Sequence, residues 1–379
     1  MREPGVAIAG CGVISAAGRD TAALLEAMRS NTSFLRRNDR FPVPRFQSNI
    51  VGTAPIDPTS DNPAHQLATS ALREAIPATL GILPERLGLV LSTTKANIEA
   101  LERLSDGRPC SAAARRHLQA DLLACDLAAE FGARGPVQNI SNACVSGLFA
   151  LTQGAKLIQR GAADAVFVVG VDHLSAFVIA GFTALKAIDP DGCRPFDQNR
   201  RGLSPGEAGA AIVLVRDDLA SPSAFKISGW GSSNDANHMT GPSRDGAGLA
   251  QAIRAALSSA NLQPAQIDYV NVHGTGTPYN DAMESAALRT VFGPSIPPIS
   301  GMKGMLGHTL GAAGVVETIA CVLAMQENFL PGTPRLDTIA EGLPASLVKA
   351  PRPASLLQNI LKLNTGFGGV NGALILQQT

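Results

Sequence analysis

Asn139-Ile140-Ser141-Asn142-Ala143-Cys144-Val145-Ser146-Gly147 opens a helical pattern and places a cysteine at its start. From there Cys144, Leu148, Leu151, Ala155 and Ile158 recur at the i, i+4, i+7 spacing of a face turned into a core. Ser141 and Asn142, just upstream, are residue types that accept hydrogen bonds from the free N–H groups of a first helical turn. Cys144 is therefore expected at or near a helix N-terminus. The positive end of the helix dipole there favours thiolate and lowers a thiol pKa by about one unit or less. Two readings stand side by side: a reactive thiol, or the small buried cysteine that most free cysteines become.

Outward from this helix, short apolar runs alternate with helical patterns. Residues 6–8, 87–91, 165–171, 211–215, 225–229, 269–272, 360–363 and 373–376 read as buried strands. Helices are expected near 21–29, 65–75, 145–160, 245–260, 281–292 and 311–326. Such alternation predicts an α/β protein with largely parallel sheets covered on both faces. Residues 31–63, rich in Pro, Asn and Arg, read as surface loops. A weak repeat relates Val6-Ala7-Ile8-Ala9-Gly10-Cys11-Gly12 to Lys226-Ile227-Ser228-Gly229-Trp230-Gly231. Each half then carries a helix that opens at a reactive side chain, Cys144 in one and His308 in the other. Two similar halves would bring both helix N-termini near a shared axis.

Composition removes several function classes. The 379 residues hold 31 Lys+Arg and 31 Asp+Glu, so there is no global basic field for nucleic acid. Aromatic residues, at 4%, are too few for a platform on which single strands stack. The hydrophobic fraction of 45% suffices for a large core, built as two or three units or as one large α/β body. The 6 cysteines are scattered and form no CxxC pair, which argues against a zinc ribbon or a disulfide framework and points to a reducing, cytoplasmic compartment with no metal centre. No uncharged apolar run is long enough for a membrane span. Ile8-Ala9-Gly10-Cys11 mimics a lipoprotein cleavage box, but the stretch before it is too short for a signal sequence.

Gly10-Cys11-Gly12 after a strand invites a dinucleotide reading, yet the third glycine of that fingerprint is replaced by Ser15. Neither a Walker-type loop nor an HExxH helix occurs. His273, in Asn271-Val272-His273-Gly274-Thr275-Gly276-Thr277, ends an apolar strand and enters a flexible loop, the place where α/β proteins carry reactive groups. Its bland alternative is a histidine that satisfies a turn. Lys303 and His308 lie in Lys303-Gly304-Met305-Leu306-Gly307-His308-Thr309-Leu310-Gly311-Ala312-Ala313-Gly314. His308 is expected to open an Ala/Gly-rich helix, whose dipole would keep its imidazole neutral. Glu317, among Val315, Val316 and Ile319, needs a cation if it is buried, and Lys303 is the obvious partner; the pair reads equally as structural or catalytic.

Taken in order, these segments resemble the β-ketoacyl-acyl carrier protein synthases of the thiolase superfamily, closest to the synthase I/II group. The similarity runs over nearly the whole chain. It is carried by Ser141-Asn142-Ala143-Cys144-Val145-Ser146-Gly147, by Val272-His273-Gly274-Thr275-Gly276-Thr277, and by Lys303 with His308, Gly311-Ala312-Ala313-Gly314 and Glu317. Pro195-Phe196-Asp197, Gly206-Glu207-Ala208-Gly209-Ala210 and the tail Asn364-Thr365-Gly366-Phe367-Gly368-Gly369-Val370-Asn371-Gly372 fit as well. Three departures accompany it. Ser92-Thr93-Thr94-Lys95-Ala96-Asn97-Ile98 replaces a glycine-rich stretch, residues 100–130 are short for the group, and Thr365 stands where many members carry an aromatic residue. Such short forms look like ketosynthases of aryl-polyene or flexirubin-type pigment pathways, in which a cysteine-bearing chain pairs with one lacking the nucleophile.

The resemblance implies a thiolase-like fold, two similar halves forming a five-layered αβαβα arrangement, with residues 1–222 carrying the nucleophile and 223–379 the two histidines. It implies an acyltransferase performing decarboxylative Claisen condensation in fatty acid, polyene or polyketide biosynthesis. Cys144 would take the acyl group, and the backbone N–H groups of Cys144 and Phe367 would form an oxyanion hole. His273 and His308 would donate to the malonyl thioester, Lys303 would hold His308 and Glu317 in register, Thr275 and Thr277 would bind phosphopantetheine, and Phe367 would gate the acyl pocket. No cofactor is expected to be bound permanently, since the substrates ride on the phosphopantetheine of acyl carrier protein. The expected partners are that carrier and either a second copy or a nucleophile-lacking chain-length subunit. Arg36, Arg37, Arg40, Arg200 and Arg201 are candidates to meet the acidic carrier. A biosynthetic thiolase is the other enzymatic reading, with Cys321 as its only available second cysteine.

Overall fold

The computed structural model describes residues 4–40, 50–78, 81–221 and 225–378, so the expected boundary between residues 222 and 223 lies outside the described residues. The first half supplies β1 (Val6–Ile14), β2 (Leu87–Ser92), β3 (Val137–Ile140), β4 (Ala165–Asp172) and β5 (Ala208–Arg216). The second supplies β6 (Phe225–Asn234), β7 (Tyr269–Asn271), β8 (Ile299–Ser300), β9 (Asn359–Gly366) and β10 (Val370–Gln378). All belong to one 10-stranded sheet in the order β8-β7-β9-β10-β6-β1-β5-β4-β2-β3. Both halves thus have the same strand order, third-second-fourth-fifth-first. They join where β1 and β6 pair antiparallel through Val6 with Ile227 and Ala7 with Lys226. The weak sequence repeat marks these two equivalent strands.

The sheet is mixed rather than largely parallel. β2 runs parallel to β3 and β4, and β7 to β8 and β9, whereas β4-β5-β1 and β9-β10-β6 run antiparallel. The reason for the miss is physical: β4 and most of β5 are buried on both faces, so their sequences read as continuous apolar runs whatever their direction. Alternate residues still part company. Ala210, Ile212 and Leu214 of β5 enter a central core, while Ala211, Val213 and Val215 enter an outer one.

Three helical layers cover these faces. Helices α1 (Pro63–Ala75) and α2 (Ala120–Glu130) lie outside the first half, and α4 (Ala247–Ala260) and α5 (Pro278–Phe292) outside the second. Between the halves run α3 (Ser146–Gln159) and α6 (Ala313–Glu327). α3 touches β4 and β10, and α6 touches β5 and β9, so each central helix contacts both halves and the layers run αβαβα. Residues Leu310–Glu327 are long and apolar enough to cross a membrane by composition, but 89% of that stretch is buried inside the fold.

Glycines set the spacing. A methyl group on Gly10 or Gly12 would fall 2.0 Å or 2.1 Å from carbonyl oxygens of α1, and one on Gly231 would fall 2.1 Å from Ala252 O of α4. The Gly10-x-Gly12 pattern is therefore a helix-packing device within a strand, repeated in the second half, and not a dinucleotide turn. In the middle layer, a methyl group on Gly314 would lie 2.2 Å from the Leu148 nitrogen. Backbone contact at Gly147 and Gly314 brings the N-terminal ends of α3 and α6 together.

Other differences are local. Residues 31–63 include a small two-stranded sheet, Leu35–Arg37 with Ile50–Gly52, with Val51 and Ala54 buried. Helices at Ile98–Ser105, α2 and Ala176–Ala184 were not expected, nor were β3 and the two-residue β8.

Candidate active site

Cys144 occupies the turn between β3 and α3. Ala143 lies in the left-handed region at φ 48°, and the turn is locked by Ser146 Oγ, which donates to Ala143 O (2.6 Å) and accepts from the Asn142 N–H (2.7 Å). The helix itself begins at Ser146. Burial pushes the Cys144 thiol up to about 12, with Lys303 pulling down and Asp172 and Glu317 pushing further up. The expected lowering by the helix dipole is thus overridden by desolvation, and the resting nucleophile is a protonated thiol.

His273 follows β7. Its N–H and that of Gly274 donate to the two oxygens of Glu284, at 2.6 Å and 2.7 Å. Its ring Nδ1 faces Lys303 Nζ (3.2 Å) and Asn364 Nδ2 (3.1 Å). Both neighbours are donors, so Nδ1 accepts and Nε2 carries the proton. The same holds for His308, whose Nδ1 accepts from the Leu310 N–H at 3.2 Å. The rings meet edge to face with centroids 5.1 Å apart. Burial first, then the nearby lysines, hold both imidazoles well below the usual histidine pKa. His308 does not open a helix, because a 3-10 turn at Leu310–Ala312 precedes α6. Burial and cationic neighbours do the work expected of the dipole.

The Lys303–Glu317 pair is present at 2.6 Å. Lys303 also donates to the His273 carbonyl, so it serves His273 and not, as expected, His308. The Cys144 sulfur and one ring nitrogen from each of His273 and His308 lie within 4.8 Å of one another. All three line a cavity of about 510 Å³ together with Thr275, Thr277 and Phe367. Lys303 and Glu317 lie buried behind it. The Phe367 ring stands 6.0 Å from that of Phe182. Cys321 is buried in α6 outside the cavity, which removes the second cysteine a thiolase reading needs.

Sequence reasoning missed Glu284, Lys362 and Asp172, and gave Asn364 no role beyond its place in the tail motif. Lys362 Nζ is 2.8 Å from Glu317 Oε2, and Asn364 Nδ2 donates to the same oxygen at 3.1 Å. Asp172 accepts from Thr93, Thr94, Lys95 and the Gly311 N–H. Residues 92–98 therefore brace the approach to α6 and do not line the cavity. Among the candidate arginines, Arg40 is paired with buried Glu207 and Arg200 with buried Asp281. Arg201, itself paired with Asp189 and Asp191, and Lys186 are cations at the cavity rim among the described residues.

Residues 3–220 match the β-ketoacyl synthase N-terminal domain and residues 224–337 the C-terminal domain. The chain belongs to the β-ketoacyl synthase family. The ketoacyl synthase alpha subunit of the tetracenomycin polyketide synthase from Streptomyces glaucescens is 32% identical over 417 residues, covering 99% of this chain and 97% of that protein. The 3-oxoacyl-acyl-carrier-protein synthase 2 of Vibrio cholerae is 37% identical over 273 residues, covering 68% of this chain and 66% of that one. A chain of the ketosynthase complex with its chain length factor from Xenorhabdus doucetiae matches with a TM-score of 0.89 at 29% identity, over 99% of this chain and 98% of that one. A chain of the ishigamide ketosynthase/chain length factor matches with a TM-score of 0.91 at 30% identity, over 100% of both. This ketosynthase has the thiolase-like fold and is an acyltransferase that forms carbon–carbon bonds by Claisen condensation.

Proposed function

We propose that this ketosynthase takes an acyl group onto Cys144 and extends it with a malonyl unit delivered on the phosphopantetheine arm of an acyl carrier protein. The observation that carries the reading is the meeting of one sulfur and two neutral imidazoles on a single cavity. In the first step the Cys144 sulfur attacks the acyl thioester carbonyl. A new C–S bond forms, the bond to the arm's sulfur breaks, and the thiol proton ends on that sulfur. The N–H groups of Cys144 and Phe367 would hold the oxyanion. A methyl group on Gly366 would lie only 3.3 Å from the Cys144 nitrogen, so the backbone before Phe367 runs close to the nucleophile.

In the second step the malonyl C–CO2 bond breaks and its electron pair becomes an enolate. His273 and His308, each with Nε2–H free, would donate to the thioester oxygen as its charge grows; a strong base is not required. The enolate carbon attacks the acyl carbon, and the Cys144 sulfur leaves and regains a proton. Thr275 and Thr277, whose hydroxyls lie 2.8 Å apart at the cavity wall, would bind the arm, and Phe367 would gate the acyl pocket. The arm belongs to the substrate, and no resident cofactor enters either step. The halves 1–222 and 223–379 would act as one unit across the middle layer, and the free cysteines suit a reducing cytoplasm.

A second reading concerns assembly. Because similar ketosynthases are found with chain length factors, a nucleophile-lacking partner is favoured over a second copy. Intact-protein mass spectrometry after incubation with acyl carrier protein tests the chemistry. A mass gain at Cys144, absent in Cys144→Ala, is expected; labelling elsewhere would overturn it. Condensation assayed alone and with a candidate partner separates the two assemblies. Transfer slowed steeply by salt would support contact of Arg201 and Lys186 with an acidic carrier.

A further inference from the structure

We propose that Lys362 is a charge-setting, positioning residue of the condensation: sharing the Glu317 carboxylate with Lys303, it leaves the buried cluster behind the two imidazoles with one positive charge in excess. The inference rests on the Cys144–His273–His308 reading above and concerns how that site is tuned.

The cluster holds one acid and two bases. Glu317 Oε1 meets Lys303 Nζ at 2.6 Å, and Oε2 meets Lys362 Nζ at 2.8 Å. Lys362 also donates to the Leu363 carbonyl, and its side chain is 0% exposed. Lys303 alone would neutralise Glu317 and would still anchor His273. The second lysine is therefore surplus to ion pairing.

Packing does not ask for it either. On β9 the side chains alternate: Leu361 and Leu363 enter the outer core, while Ile360, two residues before Lys362, enters the central one. The facing residues of neighbouring β10 on that side, Leu374 and Leu376, are aliphatic. A buried lysine at such a position costs desolvation, and buried ion clusters are commonly replaced by apolar residues without loss of stability. Burial lowers the Lys362 ammonium from its usual pKa and the Glu317 carboxylate opposes that, and what the ammonium held there adds is charge. The groups that face it are Glu317 and Cys321 of α6 and Lys303, and its field reaches both imidazoles. An extra cation there opposes protonation of His273 and His308, so each Nδ1 stays an acceptor for the N–H groups that orient its ring and Nε2–H stays aimed at the cavity. It also favours the negative charge that grows as carbon dioxide leaves.

The test compares wild type, Lys362→Met and the double variant Glu317→Gln/Lys362→Met. Each is followed by the pH profile of condensation, by kcat and KM for malonyl carrier protein, and by mass spectrometry of Cys144 acylation. In K362M the acid limb of the rate profile is expected to move up by about one pH unit, and kcat near neutral pH to fall about tenfold with little change in KM. The double variant restores one excess positive charge on Lys303 and is expected to bring the limb back. A merely structural lysine would lower stability and leave the limb in place. An unmoved limb in K362M, or a limb that the double variant does not restore, overturns the inference. If K362M does not fold, Lys362→Gln keeps the donor without the charge and is expected to shift the limb in the same direction. A wild type that is never acylated on Cys144 would overturn the functional reading and this inference with it; acylation with an unmoved limb overturns this inference alone.

Discussion

The two halves of the chain share a strand order but divide the chemistry unequally. The first half contributes one reactive atom, the Cys144 sulfur, whose burial raises its pKa and keeps it protonated. The second contributes both imidazoles, Lys303, Glu317, Lys362 and Asn364. The fourth strands make the contrast concrete. On β4 the face turned to the middle layer runs Val166, Val168, Gly170 and Asp172, whose carboxylate takes the Gly311 N–H, whereas on β9 Ile360 is followed by Lys362 and Asn364, which both reach Glu317. Duplication thus supplies two helix starts beside one cavity; Asp172 of β4 braces the approach to α6, while Lys362 and Asn364 of β9 serve the imidazoles through Glu317. A nucleophile can be a single atom; holding two neutral donors in place takes a network.

That division predicts unequal responses. The largest is Cys144→Ala, which should remove all acyl-enzyme and all condensation while the protein still folds, because a methyl group replaces a thiol that donates to nothing among the described residues. Residual condensation above background would break the assignment of the nucleophile to the first half.

Next come the histidines. Removing either donor should lower kcat about 10²–10³-fold, as loss of one donor to a developing oxyanion does. Their effects on stability should differ. His273→Ala also strips the acceptor from the buried Lys303 and Asn364, which should cost an additional 1–3 kcal/mol or about that. His308→Ala frees only the Leu310 N–H. Denaturant unfolding of both variants checks this, and equal losses would show that the network around His273 is not cooperative.

The shared scaffold predicts the opposite, a matched pair. Gly12→Ala and Gly231→Ala each drive a methyl group to 2.1 Å from a helix carbonyl, Ala71 O in one half and Ala252 O in the other. Each should destabilise the protein by about 1–3 kcal/mol through overpacking, with kcat per folded molecule unchanged. A large inequality between them would break the equivalence of the halves.

Much of this was legible in the sequence, for reasons that differ by residue. Cys144, His273, Lys303, His308 and Glu317 stand in local patterns of glycine, small residues and helical spacing that announce a turn or a buried charge. Thr275, Thr277 and Phe367 came with the resemblance, and all three line the cavity. The layer helices other than α2 and the eight longer apolar runs were visible as periodicity. Lys362 and Asn364 were not, because their meaning depends on which face of β9 they occupy and on what lies across the middle layer, which a single strand does not state. Glu284 had only a faint signal, a charge at helical spacing beside residues that turn inward on α5. Strand direction was misjudged where burial on both faces erased the alternation, and β8 was lost because two residues carry no period. The pKa of Cys144 was misjudged in sign, since a sequence shows the dipole at a helix start but not the depth of burial that outweighs it.

The smallest expected effect tests how far the control network of the second half extends. Thr365 Oγ1 donates to Asn280 Oδ1 at 2.7 Å, Asn280 Nδ2 donates to Glu284 Oε2 at 2.8 Å, and Glu284 accepts the His273 and Gly274 N–H groups. Thr365 and Asn280 line the cavity, so this chain of hydrogen bonds ties the cavity wall to the backbone that carries His273. Thr365→Val keeps the shape and removes one hydroxyl, leaving Asn280 Oδ1 without that donor in a buried setting. The cost should be about 1 kcal/mol in stability. Because the step from Thr365 to His273 passes through Asn280 and Glu284, kcat should drop by only about two- to fivefold, the range of a fractional loss of one neutral hydrogen bond. KM for the acyl primer should change too, since the same substitution makes the wall apolar. A fall in stability with no change in either kinetic constant would show that the network ends at Glu284 and that Thr365 only shapes the cavity. A change in kcat alone would mean that a hydroxyl on the wall helps to set the aim of an imidazole three hydrogen bonds away.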